Sequence, residues 1–188
     1  MSPKRAPGDV DFNEEIGAHM ATSRIEPAQQ AAQVDRDAGR RGWLRELETA
    51  IEIDASAERV WAVVTDFVAY PIWNPFMRKI SGELVVGTRL RVRLQSPGGR
   101  AMTFSPRVLA ATPQRELRWV GNLILPGLFD GEHVLAIEPL TNGRVRFMQS
   151  ERFRGVLVAP LGKLIDRTQN GFEAMNLALK ERVERAVA

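Results

Sequence analysis

Few side chains in this sequence are equipped for covalent or metal chemistry. Cysteine is absent, which removes thiolate nucleophiles, thiolate metal sites and disulfides together. Only two histidines occur, His19 and His133, so no pair of imidazoles stands at metal-ligand spacing and no metal is expected. There is neither a G-x-S-x-G elbow nor a glycine-rich phosphate loop; Ser96-Pro97-Gly98-Gly99 is a hairpin turn with no helix signal behind it. What remains is His133 with Glu151 and Gln149, on two consecutive segments of strand-like alternation. If His133 faces Glu151, the carboxylate orients the imidazole and shares a proton with it, a general acid/base pair with Gln149 to orient a substrate. Such a pair suits proton movement next to a carbonyl better than hydrolysis. The plainer alternative is a buried His–Glu pair that satisfies itself, or that anchors the loop Pro126–Asp130.

Register decides whether the three converge. Val145, Phe147 and Phe153 share one parity and Arg146, Ser150 and Arg152 the other, so the apolar parity faces inward and takes Gln149 and Glu151 with it. On the preceding strand the inward set is His133, Leu135 and Ile137. A two-residue Asn142-Gly143 loop would set Ile137 against outward-facing Met148. A three-residue loop, Thr141 to Gly143 with Gly143 left-handed, sets Ile137 opposite Phe147, Leu135 opposite Gln149 and His133 opposite Glu151. The second keeps apolar with apolar and is the expected register.

The same parity turns Leu117, Trp119, Gly121 and Leu123 inward, with Met102, Phe104 and Val108 on another strand and Leu90, Val92 and Leu94 on a third. Gly121 leaves space in mid-strand, as where a ligand approaches. Arg89, Arg91 and Arg93 then point outward and read as a solvated face rather than a patch for an anionic partner.

The elements that must hold these residues follow from period. Leu44 to Ile53 alternates as a first strand. Ser56 caps a helix whose Val60, Val63, Val64 and Phe67 fall on one face. Tyr70-Pro71-Ile72-Trp73-Asn74-Pro75 stops it, because two prolines so close forbid regular hydrogen bonding; Trp73 and Asn74 are expected near the mouth of a cavity. Alternating segments near 77–82, 88–95, 101–111, 115–124, 131–139 and 144–154 lie between turn residues, with no helix between them, which predicts an antiparallel meander. Leu161, Leu164, Ile165, Thr168, Phe172, Met175, Leu179 and Val183 then keep helical spacing, with Pro160 suited to the first position. Gly171 inside that helix predicts a bend or a close approach to the sheet.

Residues 1–42 differ. They carry seven acidic and six basic side chains, one aromatic (Phe12) and no sustained period, the composition of a disordered tail. Residues 43–188 form one domain by length. A net charge of +3, with no basic stripe interleaved with aromatics, argues against nucleic acid as a partner. No apolar run of about 18 residues occurs, so no integral membrane association is expected. The first residues lack an apolar signal core, and a cytoplasmic location is expected.

The order strand, helix, six strands, long helix carries particular residues with it. They are Ala57-Glu58-Arg59-Val60-Trp61, Tyr70-Pro71-Ile72-Trp73-Asn74-Pro75-Phe76, Pro126-Gly127-Leu128-Phe129-Asp130-Gly131-Glu132-His133, Arg146-Phe147-Met148-Gln149-Ser150-Glu151-Arg152-Phe153 and Phe172-Glu173-Ala174-Met175-Asn176. On these residues the chain, over about 44–186, resembles the START/SRPBCC superfamily, and within it the bacterial branch of polyketide cyclases/dehydrases and lipid-transport-like proteins. The resemblance implies an α+β helix-grip fold: a curved antiparallel sheet of about seven strands wrapped round a long C-terminal helix, with an apolar cavity between them. It implies no cofactor.

The expected lining of that cavity is Leu90, Val92, Met102, Phe104, Trp119 and Gly121 from the middle strands and Leu135, Phe147 and Phe153 from the last two. Phe67 and Trp73 come from the first helix and its loop, and Thr168, Phe172 and Met175 from the last helix. The leading expectation is a binding protein for a small hydrophobic molecule: a lipid, a polyketide or an aromatic metabolite. A cofactor-free cyclase or dehydratase using His133 and Glu151 is the second. A protein-interaction module of the chaperone-activator type, using the outer sheet face and the tail, is the third.

Overall fold

The computed structural model describes residues 43–96, 99–123 and 125–185. The tail 1–42, expected to be disordered, lies outside them, and His19 with it. Strand β1 (Leu44–Ile53) is followed by helix α1 (Ala57–Thr65), whose Ser56 cap accepts a hydrogen bond from the Arg59 amide at 3.3 Å. A 3-10 turn (Phe67–Ala69) and a four-residue helix α2 (Tyr70–Trp73) come next. Here the expected break is instead one helical turn. Pro71 sits in its first turn, where no amide is required, and the Asn74 amide still reaches the Tyr70 carbonyl at 2.9 Å.

Seven more strands follow: β2 (Met77–Ser81), β3 (Arg91–Leu94), β4 (Met102–Phe104), β5 (Arg107–Thr112), β6 (Glu116–Asn122), β7 (Asp130–Pro139) and β8 (Val145–Arg154). Helix α3 (Gly162–Arg185) ends the described fold. The helix-grip order is as expected, but the sheet has eight strands in two parts, β1-β8-β7-β6-β5 and β2-β3-β4. The segment expected as one strand over 101–111 is cut at Ser105-Pro106, because proline offers no ladder donor. The two halves pair with different neighbours, joined across the gap by a single bridge between Arg89 and Arg107. The segment expected at 88–95 is accordingly a strand only from Arg91.

Helix α3 lies against β1 and α1 and buries Ile165, Thr168, Phe172, Met175, Leu179 and Val183. It starts two residues later than Pro160, after a turn. Gly171 is where it comes close to its neighbours: a Cβ there would stand 2.7 Å from Phe76 Cγ. The close approach expected of this glycine is thus to the Phe76 ring, which packs edge-on to Phe172 with centroids 5.7 Å apart.

The β7–β8 hairpin adopts the expected register, with Ile137 opposite Phe147, Leu135 opposite Gln149 and His133 opposite Glu151. Its turn uses two left-handed residues, Asn142 (φ 63°) and Gly143 (φ 74°), and Leu140 closes it by donating to the Arg144 carbonyl at 2.8 Å. On the convex side of the larger sheet, acids stand opposite bases along two rows. Glu46, Arg152 and Glu132 form one and Glu52, Arg146 and Glu138 the other. Arg118 bridges Glu116 and Glu132 at 2.8 and 3.3 Å, and the Glu116 hydrogen bond is the main reason its guanidinium is held even more firmly protonated than usual. The convex face of this sheet is thus laced with ion pairs.

Candidate functional site

Parity and turn chemistry bring His133, Gln149 and Glu151 to the concave side of β7 and β8, and their three surroundings differ. His133 is buried. Its imidazole stacks on Trp119 (centroids 4.9 Å, planes 22° apart) and receives Phe172 edge-on at 4.8 Å. Nδ1 stands 3.6 Å from Glu151 Oε2, beyond hydrogen-bond reach but within ion-pair range when the ring is protonated. Nε2 is enclosed and finds no partner among the described residues.

Gln149 is wholly buried and ties sheet to helix. Its Nε2 donates to Asn176 Oδ1 at 2.6 Å and to the Phe172 carbonyl at 3.2 Å, while Asn176 Nδ2 donates to Thr49 Oγ1 at 3.1 Å. Its amide nitrogen thus makes a structural tie, while its Oε1 is buried and finds no partner among the described residues.

Glu151 alone of the three reaches open space. A pocket of about 70 Å³ is lined by Leu94, Met102, Phe104, Gly121, Asn122, Leu123, Phe129, Gly131, Glu151, Phe153, Leu164 and Thr168. Room for the carboxylate comes from Gly131, directly across from Phe153, where a Cβ would stand 2.5 Å from Glu151 Oε1. Phe129 and Phe153 form one wall with centroids 5.2 Å apart. The rim is held by two loops: Leu123 donates to the Phe129 carbonyl at 3.0 Å, and Leu157 to that of Leu128 at 3.0 Å. The Thr168 hydroxyl donates back to the Leu164 carbonyl at 3.1 Å, so only its lone pairs face the pocket.

Of the expected lining, Met102, Phe104, Gly121, Phe153 and Thr168 are on this wall. Leu90, Val92, Trp119, Leu135, Phe147, Phe172 and Met175 are buried against one another in solid core, because the side chains of α3 and Phe76 fill the space between helix and sheet. Phe67 and Trp73 are also elsewhere. Both pack on Tyr70, at 5.6 and 5.0 Å between centroids, and Trp73 borders α3 at Ala178 and Arg182. Those positions are at least ten residues from Thr168, about 15 Å along a helix, so Trp73 is far from the mouth. Asn74 is a buried turn residue whose Oδ1 accepts from the Phe76 and Met77 amides at 3.0 and 2.8 Å. Tyr70 is equally structural: its hydroxyl donates to the Val64 carbonyl at 2.7 Å, and burial, with Asp66 nearby, pushes its pKa far above the usual phenol range.

The space at Gly121 belongs largely to the Phe104 ring, 3.1 Å from where a Cβ would be. Leu123, expected inward, is 41% exposed at the rim just past the end of β6. Phe129 and Gly131 were not foreseen, although they continue the inward parity of His133 toward the strand start. Among the described residues no group of three His, Asp or Glu side chains could hold a metal ion. No described helix is long and apolar enough to cross a membrane.

Comparison with known proteins agrees with this architecture. Among solved structures, the chain is similar to the Zhui aromatase/cyclase from Streptomyces sp. R1128, at TM-score 0.64 and 18% identity over 77% of this chain and 96% of that one. A norcoclaurine synthase from Thalictrum flavum gives 0.60 and 18% over 77% and 97%, and a START superfamily protein from Mycobacterium smegmatis 0.55 and 21% over 75% and 98%. At these identities the likeness shows the fold. No curated protein matches the sequence. Residues 45–186 match the family model described as polyketide cyclase/dehydrase and lipid transport, and the chain belongs to that family.

Proposed function

We propose that the protein binds a small, largely apolar molecule in the pocket between β3–β4, β6–β8 and the start of α3. The observation that carries this reading is the wall itself. Leu94, Met102, Phe104, Phe129, Phe153 and Leu164 surround a single ionisable side chain, Glu151. The family and the cyclase and START-protein neighbours support it. A volume of about 70 Å³ holds one small group and falls well short of the several hundred Å³ of a pocket for a drug-sized ligand. A polycyclic ligand enters only if side chains at the mouth swing away, and Met102, unbranched and adaptable, is suited to that. Titration with N-phenyl-1-naphthylamine, a neutral fluorescent probe, tests the site. Saturable binding is expected in the wild type and at least tenfold weaker binding in Leu164→Trp, which fills the pocket. Equal binding in the two proteins sinks the assignment.

A second reading is that the pocket moves a proton. It is favoured by the isolation of the Glu151 carboxylate among apolar groups, with His133 behind it and Gly131 shaped to admit it. In that reading Glu151 takes a proton from a carbon next to a carbonyl, and His133 positions the carboxylate. Deuterium exchange into 2-tetralone, followed by NMR, is the assay. Acceleration over buffer that disappears in Glu151→Gln supports the reading; no acceleration in the wild type overturns it.

A further inference from the structure

The two sheets treat charge in opposite ways. Across β1, β8 and β7 an acid faces a base at each charged cross-strand position of the Glu46 and Glu52 rows. On the exposed face of β2-β3-β4 and at its junction with β5 like faces like: Lys79 of β2 stands opposite Arg93 of β3, and Arg89, just before β3, opposite Arg107 at the start of β5, while Arg91 is opposite Ser81. Thr103 completes the floor of a shallow groove with Lys79, Ser81, Arg91 and Arg93. Among the described residues no carboxylate comes within 4.0 Å of Lys79, Arg89, Arg91, Arg93 or Arg107. Like charges directly opposite on neighbouring strands are destabilising. One such pair lies in this sheet and a second at its junction with β5, in a protein whose net charge is only +3.

The hairpin that joins β2 to β3 adds an independent feature. Its tip carries Val85 and Val86, adjacent in sequence and 54% and 64% exposed. The tip is held in shape by the Thr88 hydroxyl donating to the Glu83 and Val85 carbonyls at 2.8 and 2.7 Å, and by Gly87 donating to the Val108 carbonyl at 2.9 Å. Two exposed valines on a constrained tip, followed by a row of cations with no carboxylate partner among the described residues, combine the two signals by which a peripheral protein meets an anionic bilayer: apolar groups for the acyl boundary and cations for the headgroups. Neither the outer face of the described strands β2-β3-β4 nor the tip offers an aromatic ring on which a nucleic acid base could stack.

We propose that the outer face of β2-β3-β4 with Lys79, Arg91 and Arg93, the adjoining Arg89 and Arg107 at the junction with β5, and the Val85-Val86 tip form a docking surface for an anionic lipid bilayer. This surface lies outside the pocket wall, so it stands or falls apart from the ligand reading. Docking is peripheral and reversible, and it weakens as salt screens the cations.

Co-sedimentation of the full chain with phosphatidylcholine vesicles, with and without 30% phosphatidylglycerol (about a third of the lipid anionic), tests it. Binding is expected only to the anionic vesicles and is expected to fall with added salt. Arg91→Gln/Arg93→Gln should weaken partitioning roughly thirtyfold, at about fivefold for each cation lost. Val85→Ser/Val86→Ser should weaken vesicle binding while leaving retention on heparin unchanged. Glu46→Gln/Arg152→Gln, which removes a neutral pair from the other sheet, should bind like the wild type. Far-UV circular dichroism confirms that each variant is folded. The proposal is overturned if the wild type ignores anionic vesicles at low salt, or if the arginine variant binds undiminished. It is also overturned if the valine variant binds vesicles as the wild type does, which would mark the face as a site for soluble polyanions.

Discussion

Gly171→Ala sets helix propensity against packing. In a helix interior alanine is favoured over glycine by about 1 kcal/mol, so propensity alone predicts a more stable protein. The structure predicts the reverse. A Cβ at 171 would lie 2.5 Å from Phe76 Cε2 and 2.7 Å from its Cγ. Carbon pairs in a packed core sit at about 3.5–4.0 Å, so the ring must retreat by roughly 1 Å. It has nowhere easy to go, being buried and held edge-on by Phe172, which in turn meets His133. Overpacking of this kind costs about 1–3 kcal/mol, and more when a buried ring must move. Set against the propensity gain, the net loss reaches about 2 kcal/mol, or roughly 6 °C in Tm for a chain of this length. Urea unfolding should show a lower midpoint at unchanged slope. Phe76→Leu/Gly171→Ala should lose less than the sum of its parts, because the smaller side chain leaves room for the methyl group. A Gly171→Ala protein more stable than the wild type refutes the packing argument.

Gly131→Ala should behave differently, because its added Cβ meets the far end of the flexible Glu151 side chain. Tm should change by no more than about 3 °C, reflecting less than 1 kcal/mol, while the displaced carboxylate alters probe binding in the pocket. Gln149→Leu should cost about 1–3 kcal/mol in urea unfolding, since it leaves Asn176 Oδ1 buried without its donor; Gln149→Leu/Asn176→Leu should recover part of that loss. Glu184 has a pKa held below the usual 4.5, first by the Asp54 amide and then by Lys180. Its contribution is therefore complete above pH 4.5 and is lost as pH falls through the lowered value. Melting Glu184→Gln beside the wild type should show the difference at pH 7 and convergence in acid; a constant gap across pH counts against the ionic origin.

Local rules carried much of this fold. Parity along β8 and the chemistry of the Thr141–Gly143 turn are short-range properties, and together they placed His133 opposite Glu151. The stripe from Ile165 to Val183 likewise marked the face that α3 buries, since a 3.6-residue period is written in the chain itself. Period also shows which side of a strand faces in, but not what occupies the space it faces. Only the packed structure decided that Phe172 and Trp119 enclose His133, that Phe76 and α3 fill the space expected to be cavity, and that Glu151 alone reaches the pocket. The same holds for Pro106, where one alternating segment is shared between two sheets, and for Lys79 opposite Arg93, whose repulsion depends on strands distant in sequence. Alternation records how each residue meets water or core; whether a space is filled depends on side-chain volumes brought together from elements far apart in the chain.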